Sequence, residues 1–302
     1  MACPCEEELA CAAELIRSGG LVAFPTETVY GLGANALDLR AVQRIYEAKG
    51  RPSSSALIVH VADEDMARSI SADWPEIAHI LAARFWPGPL TLVVKKTSAI
   101  SDAVTAGLDS VGIRVPSHPV ALDLIRRAGV PIAAPSANRF TQISPTTAEH
   151  VRSGLGDRVD MILDGGPTRV GIESTVVALT REPPAVLRPG MISQADLETA
   201  TDLAWKGETA RRNSRESPGM HPRHYAPRTP FYILRPGERP PAGNGRMVHL
   251  PRDPLGYAAA LYAELHKADA EEWDWIAVEK PPDKPEWAGI LDRIQKAASR
   301  GG

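Results

Sequence analysis

Apolar residues recur at helical and strand spacings along the first two thirds of the chain. Leu9, Ala12, Ala13 and Ile16 lie at positions i, i+3, i+4 and i+7, which predicts one buried face of a helix. Short apolar runs bounded by Gly or Pro predict buried strands. This alternation of helices and strands is typical of an α/β domain. The runs are residues 21–24, 57–61, 90–94, 111–115, 131–134, 161–163, 174–178 and 185–187.

Residue type also indicates where the helices begin and end. Glycine is a common cap after the last helical residue, and Gly19, Gly50 and Gly129 each follow a periodic segment. Ser144 followed by Pro145 predicts a helix start, with serine as N-cap and proline at the first helical position. The other predicted helix faces are Val42, Ile45, Tyr46 and Lys49; Ile77, Ile80 and Leu81; and Ala121, Leu124, Ile125 and Ala128.

The same patterns divide the chain into two units and a connection. Residues 6–200 predict an α/β domain, and residues 201–228 read as a polar linker. Prolines, histidines and a tyrosine crowd the end of this linker, so we expect that strip to lie against the domain. Residues 229–302 predict a second, small unit. Its expected elements are helices at 255–265 and 290–298 and a strand at 275–278, with no clear strand at 230–250.

Composition narrows the class of protein. The 302 residues are 43% hydrophobic, which is normal for a soluble globular protein. A net charge of −3 argues against a general nucleic-acid binder, which is usually basic. Apolar runs fall short of a membrane span, and acidic residues stand where a signal peptide is basic, so we expect a cytoplasmic protein. Cys3, Cys5 and Cys11 suit neither a disulfide framework nor a zinc site.

Polar residues follow the first predicted strand directly. Thr26, Glu27 and Thr28 come after Pro25, and two glycines then allow the backbone to approach a ligand closely. A ligand-binding turn and a plain strand with a tight loop are equally compatible with this pattern. The pattern alone therefore leaves the role of the segment open.

A cationic segment closes the second predicted helix. Lys49 and Arg51 flank Gly50, and hydroxyls follow from Ser53 onwards. The cations suit a helix C-terminus in any case. We favour a phosphate cradle, because the run of hydroxyls adds donors that the helix dipole does not require.

Further candidates stand at the ends of predicted strands, where open α/β sheets bind ligands. Arg114 lies among apolar strand neighbours and requires an anion, either a protein carboxylate or the carboxylate of a ligand. His60 ends another strand and is equally compatible with a purely structural hydrogen bond. The remaining candidates are Ser136 and Asn138 after one strand, Ser144, and Arg188 at a strand exit. Cations, hydroxyls and glycines suit the positioning of anionic substrates, and we expect no covalent nucleophile and no metal ligands among them.

Seven segments of the chain form an ordered set, at residues 24–33, 49–52, 85–91, 114–116, 135–138, 173–177 and 187–190. Together they resemble the YrdC/Sua5 family of threonylcarbamoyl-AMP synthases. The linker and the second unit are similar to the two-domain Sua5 branch. Two positions depart from the family pattern, since Ser55-Ala56 stands where Asn-Pro is usual and Ala178 where an acidic residue is common. The similar segments of the linker and the second unit are residues 217–220, 224–227 and 290–298.

The resemblance implies a twisted mixed sheet with flanking helices around a large cavity, plus a small C-terminal α/β domain. It implies synthesis of threonylcarbamoyl-AMP and pyrophosphate from ATP, L-threonine and bicarbonate, for the t6A37 modification of tRNA. Mg²⁺ would arrive with ATP, the linker would fold over the site, and a tRNA threonylcarbamoyl transferase would take the product. The residues implied for L-threonine are Thr26, His60, Arg114 and Ser174, and those for ATP are Lys49, Arg51, Ser53, Ser110, Ala134, Ser136, Asn138, Ser144, Arg188 and Tyr225.

Two other functions remain open at this point. One is a carbamoyltransferase, or a carbamoyl-handling module of hydrogenase maturation, on the same scaffold. The other is an RNA-binding module; the acidic net charge and the lack of aromatic residues near the basic segments count against it. Direct tRNA binding is compatible with the synthase but is not required by it.

Overall fold

The computed structural model describes residues 4–205 and 224–298. The first unit is built on a nine-stranded mixed sheet of strand order β7-β1-β2-β6-β3-β5-β4-β8-β9. The strands are β1 Val22–Phe24, β2 Gly31–Asn35, β3 Ile58–His60, β4 Leu90–Lys95, β5 Ser110–Arg114, β6 Ile132–Ala133, β7 Met161–Ile162, β8 Thr175–Ala178 and β9 Ala185–Arg188.

Eight helices within residues 4–205 flank this sheet. The apolar face predicted for α1 is buried, and α2 ends at Gly50, whose φ of 61° is in the left-handed region. The helices are α1 Glu6–Arg17, α2 Leu39–Lys49, α3 Glu64–Ser69, α4 Glu76–Phe85, α5 Asp102–Thr105, α6 Pro119–Ala128, α7 Ala148–Leu155 and α8 Gln194–Thr201, with a 3₁₀ turn at Gly156–Arg158.

The predicted start of α7 is wrong. Thr147, not Ser144, is the N-cap, and its side chain accepts a hydrogen bond from the backbone N–H of His150. The hydroxyl of Ser144 instead donates to the carboxylate of Glu173 at 2.6 Å. Ser144 therefore hydrogen-bonds a residue 29 positions further along the chain and does not cap the helix that the serine–proline pattern predicted.

The glycines after Tyr30 form a strand rather than a tight loop. Gly31, Leu32 and Gly33 pair in antiparallel register with Phe24, Ala23 and Val22. A Cβ on Gly33 would stand 2.7 Å from the Phe24 ring and 2.8 Å from Ile132, so a side chain there is excluded by packing. Gly33 thus permits close strand contact, and Gly31 alone of the two lines the cavity described below.

The second unit is a three-stranded parallel sheet with helices packed on it. Its strand order is β10-β12-β11. The expectation that residues 230–250 lack strands is wrong, because two strands there pair with the predicted one. The elements are β10 Phe231–Leu234, β11 Gly245–Val248, α9 Pro254–Asp269, β12 Trp275–Glu279, a 3₁₀ turn Pro285–Trp287 and α10 Ala288–Ala297.

The two units share one hydrophobic cluster. Val29, Ile143 and Ile172 of the first unit pack with Tyr225 and with the apolar faces of α9 and α10. Gly171, at φ 80°, meets the backbone of α9 so closely that a Cβ would lie 2.2 Å from the Ala258 carbonyl oxygen. This shared core positions the second unit against the wall of the candidate site. Residues 217–220 of the predicted linker lie outside the described residues. Within the described ranges, no helix is long and apolar enough to cross a membrane.

Candidate functional site

A small cavity lies beside the sheet where several strand ends meet residues 224–225. Its volume is about 40 Å³. Three strands end at a residue of its wall, namely β3 at His60, β5 at Arg114 and β9 at Arg188. Because β3 and β5 are parallel with His60 opposite Arg114, the register itself brings these two side chains together. The predicted grouping of chemistry at strand ends is thus present.

All four residues predicted for L-threonine line this cavity: Thr26, His60, Arg114 and Ser174. Their hydroxyls are held by neighbours. Thr26 Oγ1 donates to the carbonyl of Val29 at 2.6 Å and lies 2.8 Å from Thr28 Oγ1. Ser174 Oγ lies 2.8 Å from Thr91 Oγ1. The side chains are therefore buried in fixed orientations before any substrate arrives.

Arg114 has a protein carboxylate as partner. Its Nη2 lies 2.7 Å from Glu27 Oε1, although the two atoms are not aligned as a hydrogen bond. Its Nη1 donates to Thr28 Oγ1 at 3.0 Å and its Nε to the carbonyl of Gly88 at 3.2 Å. The charge of Arg114 is thus balanced by Glu27, while the guanidinium still forms part of the cavity wall.

His60 is a neutral imidazole in this site. Burial, and then the charge of Arg114, lowers its pKa to about 3. Its Nδ1 is buried and has no hydrogen-bond partner among the described residues. A neutral ring with an unpaired nitrogen at the cavity wall can exchange a hydrogen bond with a bound molecule.

Five of the residues predicted for ATP line the same cavity: Arg51, Ala134, Ser136, Arg188 and Tyr225. The other five lie behind or beside it. Ser53 is exposed on its loop, and Ser110 lies in β5 opposite Lys95. Asn138 lines a separate groove of about 540 Å³ between the two units. The remaining two are Lys49 and Ser144.

Lys49 braces the loop after β6 from behind. Its Nζ donates to the carbonyls of Ser136 and Asn138, both at 2.5 Å. Burial, and then the nearby charge of Arg51, holds the pKa of this lysine well below its ordinary value. Lys49 therefore fixes the position of Ser136 in the cavity wall. This structural role does not depend on a contact between Lys49 and a phosphate.

Arg51 is held by the two residues that depart from the family pattern. Its Nη2 donates to Ser55 Oγ at 2.5 Å and to the carbonyl of Ala56 at 2.9 Å. Burial lowers the pKa of Arg51 to about 10, so the side chain stays charged at neutral pH. Ser55-Ala56 thus supplies the contacts that orient this cation.

Arg188 connects the two halves of the predicted site. Its Nε and Nη2 donate to the carbonyl of Ser174 at 3.1 and 3.0 Å, and Nη2 also reaches Ser174 Oγ at 3.1 Å. A cation predicted for ATP therefore touches a hydroxyl predicted for L-threonine. A substrate on one side and a nucleotide on the other would meet at this pair.

His224 and Tyr225 complete the wall from the side of the second unit. Tyr225 is 1% exposed and has a left-handed backbone, at φ 63°. The Ala226 N–H donates to the carbonyl of Thr141 at 2.9 Å, and the His224 N–H to the carbonyl of Lys296 at 3.1 Å. Burial, and then Glu173, raises the pKa of Tyr225 to about 12. The phenol is therefore a neutral hydrogen-bonding group at the cavity.

The site-residue prediction omitted five polar residues that line or support the wall: Glu27, Thr28, Glu173, His224 and Arg293. Glu27 and Thr28 are next to Thr26 in the sequence. Because Arg114 was expected to pair with either a protein carboxylate or a ligand, Glu27 was a recognisable candidate for the protein carboxylate. Glu173 directly precedes Ser174. Arg293 lies 120 residues from Glu173, with which it forms a buried ion pair, and local spacing carries no signal for such a contact.

Comparison with known proteins assigns the chain to a family. The Sua5_yciO_yrdC family profile, described as "Telomere recombination", matches residues 14–190. A second, described as "Threonylcarbamoyl-AMP synthase, C-terminal domain", matches residues 192–299. The chain belongs to the Sua5/YciO/YrdC family. The resemblance inferred from the seven segments is thereby confirmed.

Relatives in this family match nearly the whole chain. The threonylcarbamoyl-AMP synthase of Bacillus subtilis is 42% identical over 97% of this chain and 93% of its own length. The crystal structure of Pyrococcus abyssi Sua5 complexed with L-threonine superposes with a TM-score of 0.89 at 37% identity, covering 97% of this chain and 94% of that one. Full-length HypF, at 22% identity and TM-score 0.54, shares 60% of this chain and 28% of its own, which shows a common fold alone.

Proposed function

We propose that this protein is an L-threonylcarbamoyladenylate synthase, a nucleotidyltransferase. It joins ATP, L-threonine and bicarbonate to give threonylcarbamoyl-AMP and pyrophosphate for the t6A37 modification of tRNA. One observation carries the proposal: all four side chains predicted for threonine share a single buried cavity with Arg51 and Arg188, which are predicted for the nucleotide. The near full-length likeness to the Bacillus subtilis synthase supports it.

L-Threonine binds on the Arg114 side of the cavity. Its carboxylate pairs with the Arg114 guanidinium, which Glu27 and Thr28 hold in place. Hydroxyls of Thr26 and Ser174 and the neutral ring of His60 offer partners for the amino acid's polar groups. Glu27 balances the charge of Arg114 before binding, so this arginine is tolerated at 4% exposure.

ATP binds on the side of Arg51, Ser136 and Arg188. Arginine donates to phosphate oxygens through a planar fork, and two such groups line this wall. Lys49 fixes the loop that carries Ser136. The phenol of Tyr225 faces the nucleotide from the other unit.

The chemistry requires alignment rather than a protein nucleophile. Bicarbonate takes up a proton and loses water to give CO₂, to which the threonine amine adds with loss of a proton, giving a carbamate. A carbamate oxygen then attacks the α-phosphorus, the bond to the β-phosphate oxygen breaks, and pyrophosphate leaves. Arg188, which contacts Ser174, lies where the two substrates meet and can neutralise developing phosphate charge. The product is a reactive mixed anhydride, so we expect a downstream tRNA threonylcarbamoyl transferase to consume it.

Magnesium enters with ATP in this proposal. Glu27 and Glu173 are the carboxylates at the cavity, and each is already engaged with an arginine. Within the described ranges, no three His, Cys, Asp or Glu residues lie close enough to hold an ion. Mg²⁺ would thus be coordinated by phosphate oxygens and supply charge neutralisation there.

The strip that carries His224 and Tyr225 acts as a lid. A cavity of about 40 Å³ does not accommodate ATP, since ligand pockets of this kind measure roughly 300–1,000 Å³. His224 and Tyr225 close it from outside, so their outward movement would admit the nucleotide and their return would exclude water from the carbamate. This arrangement of His224 and Tyr225 supports the predicted role of the linker.

The test is an omission assay on the full chain. Pyrophosphate release is measured with ATP, Mg²⁺, L-threonine and bicarbonate together and with each left out in turn, and the product is identified by mass spectrometry. We expect release that requires both threonine and bicarbonate. Release that is independent of either compound would reject the proposal, and turnover of carbamoyl phosphate instead would favour a carbamoyltransferase.

A further inference from the structure

The second unit contributes a buried arginine that lies directly behind the cavity wall. Arg293 on α10 is fully buried, at 0% exposure. Its Nε donates to Glu173 Oε2 at 2.7 Å, its Nη2 to the Glu173 carbonyl at 3.3 Å and its Nη1 to the Pro189 carbonyl at 3.0 Å. Glu173 directly precedes Ser174 and Pro189 directly follows Arg188. One guanidinium thus ties together the backbone beside two residues of the cavity wall.

The carboxylate of Glu173 passes this restraint to further groups. Its Oε1 accepts the hydroxyl of Ser144 at 2.6 Å, and its Oε2 accepts the hydroxyl of Tyr262 at 3.2 Å. Without Arg293, a carboxylate that is only 7% exposed would lose its ion pair. The hydrogen bond that Ser144 donates to Glu173 would be affected as well.

Arg293 also supports the lid residue. Its guanidinium carbon lies 5.3 Å from the centroid of the Tyr225 ring, within the range of a cation–π contact. The ring of Tyr262 stacks on the ring of Tyr225, with 5.9 Å between the two centroids. Arg293 therefore contacts two residues of the cavity wall, Glu173 and Tyr225.

We infer that Arg293 is a positioning residue of the active site, through which the C-terminal unit sets the geometry of Ser174, Arg188 and Tyr225. The inference rests on the proposed function. Arg293 lies behind the wall and acts through Glu173 and Tyr225, without touching substrate. The C-terminal unit thereby has a defined task in catalysis, and closure of the lid depends on its docking.

The ionisation of Glu173 makes the inference measurable. Burial raises its pKa, but the charges of Arg293 and Arg188 and the hydrogen bond from Ser144 lower it below the ordinary value overall. Removal of Arg293 leaves burial in place and takes away the first of the opposing charges. The carboxylate then takes up a proton at higher pH. The titratable groups that act on Glu173, or that it acts on, are Arg293, Arg188, Tyr262, Tyr225 and Lys49.

The experiment compares Arg293→Met and Arg293→Lys with the unmodified full chain. We expect KM for ATP and for L-threonine to rise by about tenfold or more, with a smaller change in kcat. The acid limb of the kcat/KM profile should move to higher pH in Arg293→Met, because Glu173 protonates earlier. Adding Glu173→Gln to Arg293→Met should remove that displacement. This double variant also removes the unpaired buried charge of Glu173, which would otherwise oppose folding.

A matched control separates positioning from loss of stability. Leu234→Ala truncates a buried side chain on the opposite face of the three-stranded sheet and leaves Arg293 in place. We expect it to lower the melting temperature with KM values and pH profile unchanged. Equal kinetic losses in Leu234→Ala and Arg293→Met, or an Arg293→Met enzyme with unaltered KM and pH profile, would overturn the inference. An unmodified chain without threonine-dependent pyrophosphate release would instead overturn the proposed function.

Discussion

Arg114 and Glu27 form a buried ion pair at the cavity, with 2.7 Å between Nη2 and Oε1 and each side chain 5% exposed. From the sequence, Arg114 required an anion that was either a protein carboxylate or a ligand carboxylate. The structure supplies the protein partner and still leaves the guanidinium in the cavity wall. Arg114 is thus oriented by Glu27 and Thr28, and its substrate contact stays a prediction.

The first prediction concerns Arg114→Ala. We expect KM for L-threonine to rise far more than KM for ATP, because the substrate carboxylate loses its cation. The variant should also lose about 3–5 kcal/mol of unfolding free energy, since Glu27 becomes an unpaired buried charge. Initial-rate kinetics and denaturant unfolding measure the two effects.

A matched control for Arg114 is Arg44→Ala. Arg44 pairs with Asp160 at 2.9 Å on the surface, where both side chains are more than one third exposed. Such pairs contribute about 0–1 kcal/mol, so kinetics and stability should change little. A larger rise in KM for ATP than for threonine in Arg114→Ala would show that the carboxylate assignment is wrong.

The second prediction concerns the lid residue Tyr225. Tyr225→Ala should lower turnover or weaken ATP binding, because the cavity loses the ring that closes it and that lies against Arg293. Tyr225→Phe keeps the ring and removes the hydroxyl, so it separates closure from hydrogen bonding. Steady-state kinetics and calorimetric titration with a non-hydrolysable ATP analogue provide the readout.

Tyr232→Ala serves as control for the tyrosine variants. Tyr232 lies in β10 and packs with the cluster on the far face of the small sheet. Its loss should leave ATP binding unaltered. Kinetics of Tyr225→Ala that match those of the unmodified chain would remove the lid from the mechanism.

The third prediction concerns Lys49→Met. Lysine Nζ donates to two carbonyls of the loop that carries Ser136, and methionine fills the same space without donors. We expect KM for ATP to rise while KM for L-threonine changes less, because Ser136 lies on the side of the cavity that is proposed for the nucleotide. Parallel increases in both constants would contradict this division of the cavity.

The fourth prediction is a loss of stability in acid. His150 of α7 stacks on His266 of α9, with ring centroids 3.8 Å apart. Burial, and then His150, lowers the pKa of His266 from 6.5 to about 4, and burial lowers that of His150. Between about pH 6.5 and 4, these histidines bind fewer protons in the folded protein than in the unfolded chain. The unfolding free energy should therefore fall as pH drops from about 6.5 towards 4.

His266→Gln should flatten this acid dependence. Each such group contributes up to about 1.4 kcal/mol per pH unit within its window, and glutamine can still donate to the Ser144 carbonyl that His266 contacts at 3.1 Å. His249→Gln, at an exposed position, is the control. Denaturant midpoints measured between pH 4 and 8 decide the matter, and identical slopes for the two variants would exclude the histidine pair as the cause.

Local pattern predicted most elements of the first unit, because burial of one face follows directly from apolar spacing. The faces of α1, α2 and α6 are buried as expected. The prediction failed where side chains are small or where partners are remote. Gly31 and Gly33 carry no apolar signal for β2. The short strands β10 and β11 are only partly buried and lie between prolines and glycines.

By itself, the sequence determined most helices and strands of the first unit, the family, and four side chains, predicted for L-threonine, that line one cavity. Only the tertiary structure decided what these groups are paired with. Arg114 is balanced by Glu27, Ser144 donates to Glu173 instead of capping a helix, and Arg293 reaches Glu173 across 120 positions. Apolar periodicity reports burial within one element, whereas the partner of a buried charge depends on how distant elements pack, which no local spacing encodes.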